Sequence, residues 1–213
     1  MSASHGVATV TTDRHFGKAT GGKIAMWMFI AQDGFSFGAL LLAYGVLRIV
    51  ADAWPAAGVS VQDILGINLT AFATFVLICS SVTMVLAVDS AQKADKGATV
   101  RWLLATIAGG AIFLGIQAYE YTILSQAGIG FANSTWEGQE VNALFGSTFY
   151  VVTGFHGLHV LSGVIYLCFI LAGTLRGKYT QGGLSYSPVE LVGLFWHFVD
   201  LVWILVFTFI YLL

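Results

Sequence analysis

The sequence predicts an all-α membrane protein: a bundle of five transmembrane helices, N-terminus cytoplasmic and C-terminus periplasmic. Three observations carry that prediction. Hydrophobic residues make up 57% of the 213 and charged residues only 9%, with a mean hydropathy of +0.82, whereas a soluble domain carries about 25% charged residues. The apolar residues gather in five runs, each long enough for the roughly 20 residues that a spanning helix needs. None of the runs shows the strict alternation of a closed β-barrel, the other architecture that can span a bilayer.

The elements follow in chain order. Met1 to Thr20 is polar, with His5, Asp13, Arg14, His15 and Lys18. It lacks the apolar core and small-residue cleavage site of a signal peptide. Residues 1–22 therefore read as a loosely ordered cytoplasmic tail and residues 23–213 as the transmembrane domain, whose first apolar run acts as the insertion signal. The spans are expected near Ile24–Val50, Ile64–Val88, Trp102–Leu124, Ala143–Leu175 and Val189–Leu213. The first and fourth exceed the minimum and should tilt or project beyond the hydrocarbon. Pro55 and Pro188 fall in a loop or at a helix start, where the missing N–H costs little. Trp54, Trp102 and Trp136 sit near span ends and fit an interfacial aromatic belt.

Basic residues set the expected orientation. Arg14, Lys18 and Lys23 precede the first span, Lys93, Lys96 and Arg101 follow the second, and Arg176 and Lys178 follow the fourth. Arg48 alone lies on the other side, an asymmetry that places the first side in the cytoplasm. The longest outer loop, Ser125 to Asn142, carries Glu137 and Glu140 and no positive charge. For a bacterial chain the membrane is then the inner membrane. Nine Lys and Arg with a net charge of −2 are too few and too scattered for a nucleic-acid face.

Cys79 and Cys168 are isolated within apolar runs, which suggests buried free thiols rather than a metal or disulfide framework. Gly34 and Gly38 in the first span, Gly109, Gly110 and Gly115 in the third, and Gly154, Gly157 and Gly163 in the fourth predict close helix packing. No internal repeat is visible and no span is broken by proline, which argues against an inverted-repeat transporter.

Ionisable side chains at membrane depth cost about 2.5–3.5 kcal/mol each on insertion scales, so they persist only with partners or a task. Asp33, His156, His159, His197 and Asp200 all fall mid-span, while Glu120 lies near the outer end of its span, within snorkelling range. His156 and His159 are three apart and share a helix face. That pair is compatible with metal or haem ligation or with proton transfer. Without HExxH, CxxCH or a second histidine pair, hydrogen bonds to neighbouring helices or a partner subunit are the favoured reading. His197 and Asp200, also three apart, suggest an intrahelical pair whose role is packing or a proton relay. Asp33, followed by Gly34, is the member of the set with the strongest functional interest.

The residues around these groups form a recognisable series. Thr153-Gly154-Phe155-His156-Gly157-Leu158-His159-Val160 with Gly163, then Trp196-His197-Phe198-Val199-Asp200-Leu201-Val202-Trp203, resemble the last two helices of subunit III of the haem-copper oxidases. Phe113 to Tyr121 is similar to that family's FLxxQxxEY segment, Ser80-Ser81-Val82-Thr83 to its Ser/Thr-rich helix, and Met26 to Gly38 to its MWLFLxSE segment. The resemblance runs in order over Gly22 to Leu213 and matches the short five-helix form. Gln32-Asp33 stands where the family usually has Ser-Glu, so the carboxyl is kept on a side chain one methylene shorter.

That resemblance implies a non-catalytic subunit of a proton-pumping terminal oxidase in aerobic respiration. It would have no catalytic, cofactor-binding or metal-binding residues of its own, with haem and copper in the partner subunits. It implies packing on subunit I beside subunit II, with a small subunit IV and a respiratory supercomplex as further candidates. It also implies phospholipid held in a cleft and support for proton uptake and turnover stability. The oxidase could take electrons from cytochrome c or from quinol, and the related accessory subunit of nitric oxide reductases has the same five helices. A small proton channel using Asp33, His156 and His197, or a membrane bis-histidine haem protein, is the reading from a different class.

Overall fold

The computed structural model describes residues 21–131, 134–136, 138–182 and 185–213. The expected tail through residue 20, Arg14 and Lys18 included, and Glu137 in the outer loop lie outside the described residues. Among the described residues there are six α-helices: α1 (Gly21–Val50), the short α2 (Val61–Ile64), α3 (Ile67–Gln92), α4 (Lys96–Gln126), α5 (Ala143–Leu175) and α6 (Ser187–Phe207), which runs on through a π-helical turn, Thr208–Leu212. Five are long and apolar enough to cross a membrane, so the all-α membrane fold is as the sequence predicts.

Two of the long helices start where the sequence supplies a side-chain partner for their first N–H groups. Asp95 caps α4 by accepting from Ala98 N at 3.0 Å, and Asn142 caps α5 by accepting from Leu144 N at 3.0 Å. Pro188 stands in the first turn of α6. The Asp95 cap starts α4 six residues before the expected Trp102, because hydropathy marks only the apolar part of a helix and not its polar first turns.

The helices run up and down. Lys23 on α1 pairs with Glu190 on α6 at 2.8 Å, and Lys96 on α4 donates to Leu175 O on α5 at 2.7 Å. One end of the bundle therefore carries Lys23, Lys93, Lys96 and Arg176. Arg48 stands at the other end, where it donates to the main-chain oxygen of Leu213. That far end is more structured than a plain loop. Ser60 and Asp63 form a reciprocal capping box on α2, and β1 (Ser134–Trp136) pairs antiparallel with β2 (Gln139–Val141). Asn142 N donates to Pro55 O at 2.8 Å, tying the two outer connections together.

α6 is the centre of the bundle and α1 its periphery. Half of the most apolar stretch of α6 is buried, against 22% in α1. Two glycines let neighbours press onto α6: a Cβ on Gly110 would lie 2.5 Å from Trp196 Cη2, and one on Gly163 would lie 2.9 Å from the same indole. Gly109 likewise faces Ser80, whose Cβ would stand 2.6 Å away.

The close-packing expectation fails at Gly34, Gly38 and Gly115. A Cβ on Gly34 would meet only Phe198, at 3.9 Å, and Gly38 and Gly115 have nothing within 4 Å. The cysteine expectation also fails. Cys79 and Cys168 are exposed on the outside of the bundle, because an apolar run marks lipid-facing positions as readily as buried ones.

Candidate functional site

Among the described residues, the side chains singled out in the sequence fall into three polar clusters inside the bundle, each drawing on more than one helix. The first is Glu120 on α4, which is 7% exposed. Its Oε1 accepts from Thr70 Oγ1 of α3 at 3.0 Å, and its Oε2 accepts from Tyr211 of the π-helical turn at 2.8 Å. Both oxygens are satisfied within the chain, so the expected snorkelling toward the membrane surface does not occur. One turn below, Gln117 Nε2 donates to Thr153 O at 2.8 Å, and Tyr121 shares a proton with Thr153 Oγ1 at 2.7 Å. These bonds clamp α4 to α5 through the space that Gly157 leaves open.

The second cluster joins α1 to α5. His159 Nδ1 lies 2.7 Å from the carbonyl of Phe155, so that nitrogen carries the proton and donates. Its Nε2 faces Asp33 Oδ2 at 3.2 Å. A proton between these two atoms must come from an imidazolium or from a carboxylic acid, because neutral Nε2 and a carboxylate both only accept. The distance is that of an ion pair, yet the angles give Oδ2 no hydrogen bond. The two groups are therefore close but poorly aligned. Phe37 packs beside them, its ring centroid 4.8 Å from Phe155 and 5.1 Å from His159.

His156 points the other way, into the core. It is fully buried, with its ring 4.8 Å from Trp203 and 5.7 Å from Phe113. Neither ring nitrogen has a hydrogen-bond partner among the described residues, which corrects the expectation of a bond to a neighbouring helix. Aromatic rings pack against the imidazole instead.

The third cluster lies between α3 and α6. His197 Nδ1 meets Ser81 Oγ at 2.6 Å. The expected His197–Asp200 pair does not form among the described residues: both side chains turn toward α3, and Asp200 Oδ1 is buried without a partner. Interhelical contact outcompetes the i, i+3 contact because the α3 hydroxyl sits directly across the seam. Above it, Trp196 donates to Ser80 Oγ at 3.1 Å and Trp203 to Thr74 Oγ1 at 2.8 Å.

The six residues singled out in the sequence thus form no single centre. Asp33 and His159 meet, whereas Glu120, His156 and the His197–Asp200 region stand apart. No group of three or more His, Cys, Asp or Glu is placed to hold a metal among the described residues. The partners that the sequence reading missed are Thr70, Thr74, Ser80, Ser81 and Tyr211. Ser80 and Ser81 stand in the Ser/Thr-rich segment, and Thr70, Thr74 and Ser81 recur on a helical period along α3; Tyr211 had no such signal.

A cleft of about 960 Å³ opens between α1 and the α4/α5 pair. Leu40, Leu114, Leu158 and Leu161 make its walls apolar, with Ser36, Tyr121 and Tyr150 contributing hydroxyls. The outer surface is also apolar, with Phe35, Ile49, Met28 and Phe169 all at least 70% exposed. Such a surface suits lipid or a partner subunit rather than water.

A family model described as cytochrome c oxidase subunit III matches residues 6–213. The chain is 32% identical to "Cytochrome c oxidase subunit 3" of Thermostichus vulcanus, covering 89% of this chain and 86% of that protein. It is 35% identical to "Probable cytochrome c oxidase subunit 3" of Nocardia farcinica, covering 86% and 84%. It is 34% identical to "Cytochrome bo(3) ubiquinol oxidase subunit 3" of Pseudomonas aeruginosa, covering 88% and 82%.

Proposed function

The chain belongs to the cytochrome c oxidase subunit III family, and on that premise we propose that it is a non-catalytic subunit which packs on subunit I and sustains proton uptake during turnover. It is an integral membrane protein of a haem-copper oxidase and works with the other subunits of that complex in respiration. Haem and copper belong to the partner subunits in this reading, and oxygen reduction takes place there. Cytochrome c is the proposed electron donor. The likeness to a ubiquinol oxidase subunit supports quinol as the second reading. The basic end of the bundle is assigned to the cytoplasm of a bacterial inner membrane, following the excess of Lys and Arg.

One observation carries the proposal: α1 stands off from α4 and α5 across an apolar cleft while Asp33 and His159 bring α1 and α5 together. Phospholipid acyl chains fill such a cleft, holding α1 in place against the chemistry next door. Mild-detergent purification tests the assignment. The chain should co-purify with a haem-bearing subunit and show no haem absorbance by itself; stoichiometric haem or copper on the isolated chain would refute it. For Asp33→Ala we expect an assembled oxidase that inactivates faster during turnover. An unchanged turnover half-life together with unchanged proton pumping would remove Asp33 from the account.

A further inference from the structure

The α3/α6 seam holds two buried carboxylate oxygens for which the proposed packing role gives no use. A groove of about 320 Å³ opens at the end of the bundle where Lys23 meets Glu190, lined by Val85, Val88, Asp89, Glu190, Leu194 and His197. Glu190 Oε1 is held by Lys23, while its Oε2 is buried with no hydrogen-bond partner. Asp89 is held by Lys93 at 2.6 Å. Both acids at the mouth already have a cation, so the groove is not a metal site.

Deeper in, His197 meets Ser81, and the Ser81 hydroxyl also lies beside Asp200. Asp200 Oδ1 is the second buried, unpartnered oxygen. Glu190, His197 and Asp200 sit at i, i+7 and i+10 on one face of α6, a climb of about 15 Å. Past Asp200 the seam is shut. Leu77 and Trp203 are each 1% exposed, and the Trp203 indole is tied to Thr74.

We propose that this seam is a blind proton half-channel: a proton entering at the Glu190 mouth reaches Asp200 through His197 and Ser81 and goes no further. The transfer balances within the chain. A proton from water in the groove binds His197 Nε2, the Nδ1 proton passes to Ser81 Oγ, and the serine's own proton passes to the Asp200 carboxylate beside it. The imidazole is left neutral with its proton on Nε2, and release runs the same steps backwards. One proton enters, no covalent bond to carbon changes, and the sealed top prevents a leak across the membrane. The seam is a proton store beside the oxidase. It rests on the reading of the chain as a support for proton uptake, and it names the site.

Two measurements on the assembled oxidase test the half-channel. In a Cys79→Ser, Cys168→Ser background, Leu194→Cys and Val85→Cys should react with a charged, water-soluble thiol reagent. Phe169→Cys, at similar depth on the outside of α5, should not. Infrared difference spectra across a pH titration should contain a carboxyl band that shifts in D2O and disappears in Asp200→Asn. His197→Gln keeps a hydrogen-bonding side chain at Ser81 but cannot carry a proton, so exchange of that band should slow about a hundredfold, the lower end of what a positioned proton carrier contributes. Unlabelled groove positions, or exchange in His197→Gln as fast as in the unsubstituted protein, would overturn the proposal. Should Asp200→Asn fail to assemble, the thiol reactions decide alone. Turnover half-life reads the broader role and these measurements read the seam, so either can fail by itself.

Discussion

Around Trp196, Trp203 and Glu120, where α6 and the turn that follows it meet α3 and α4, the buried polar atoms are paired and the helices touch. Trp196 and Trp203 each donate to an α3 hydroxyl, and Glu120 has a partner for both oxygens. Where α1 meets α5, Asp33 and His159 approach to 3.2 Å without hydrogen-bond alignment, and a cleft of about 960 Å³ separates the rest. Buried polar side chains serve opposite ends in the two regions. In the first region they remove the penalty of burying polar atoms in a medium without water, and the reward is rigidity. In the second the contact is close but unaligned, and an open cleft lies beside it.

The largest effect should come from breaking the tight region. Gly110→Val puts a branched side chain against the Trp196 indole, and overpacking of this kind costs about 1–3 kcal/mol or more. Thermal unfolding in mild detergent should show a clearly lowered midpoint or loss of the subunit from the complex. A midpoint like that of the unsubstituted protein would mean that the seam is looser than its geometry.

Glu120→Ala comes next. It strands Tyr211 and leaves Thr70 only the Gly66 carbonyl, and buried groups left unpaired cost about 1–3 kcal/mol. Glu120→Gln should recover most of that loss, because one amide can still meet both hydroxyls. Asp33→Ala should lower the same midpoint less than Glu120→Ala, since its misaligned contact has less to lose. An equal or larger loss would reverse the comparison between the two regions.

Trp203→Phe keeps the aromatic bulk against His156 and removes only the bond to Thr74. Membrane hydrogen bonds average about 0.6 kcal/mol in double-mutant cycles, so a shift of that order is expected. The smallest effect lies outside the membrane, at the α2 cap. Hydrogen bonds from the Ser60 hydroxyl and N–H hold the Asp63 carboxyl below its ordinary value of 3.8. A depressed carboxylate stabilises the cap above its unfolded value, and that contribution is lost as pH falls through the lower folded value. Amide exchange over residues 60–65 should rise on acidification below the usual carboxylate range. In Asp63→Asn it should lose that step.

Much of this was legible in the sequence, for a physical reason. A bilayer demands continuous apolar helices, so the fold class, the five spans and their order follow from composition and run length, as the helices at Gly21–Val50 and Ala143–Leu175 illustrate. The buried polar residues were legible too, because their cost makes them conspicuous. Their partners were not. Spacing along one helix suggested His197 with Asp200, yet Ser81 across the seam takes the imidazole; nothing local marked His159 as the partner of Asp33, 126 positions earlier in the chain.

Hydropathy likewise could not tell core from lipid. Cys79 and Gly38 look like interior residues in the sequence but face outward, because apolar residues suit either environment. The sequence by itself therefore determined what crosses the membrane and which side chains need partners there. Only the tertiary structure decided which helices supply those partners, since that depends on where glycines such as Gly109, Gly110 and Gly163 let neighbouring backbones approach.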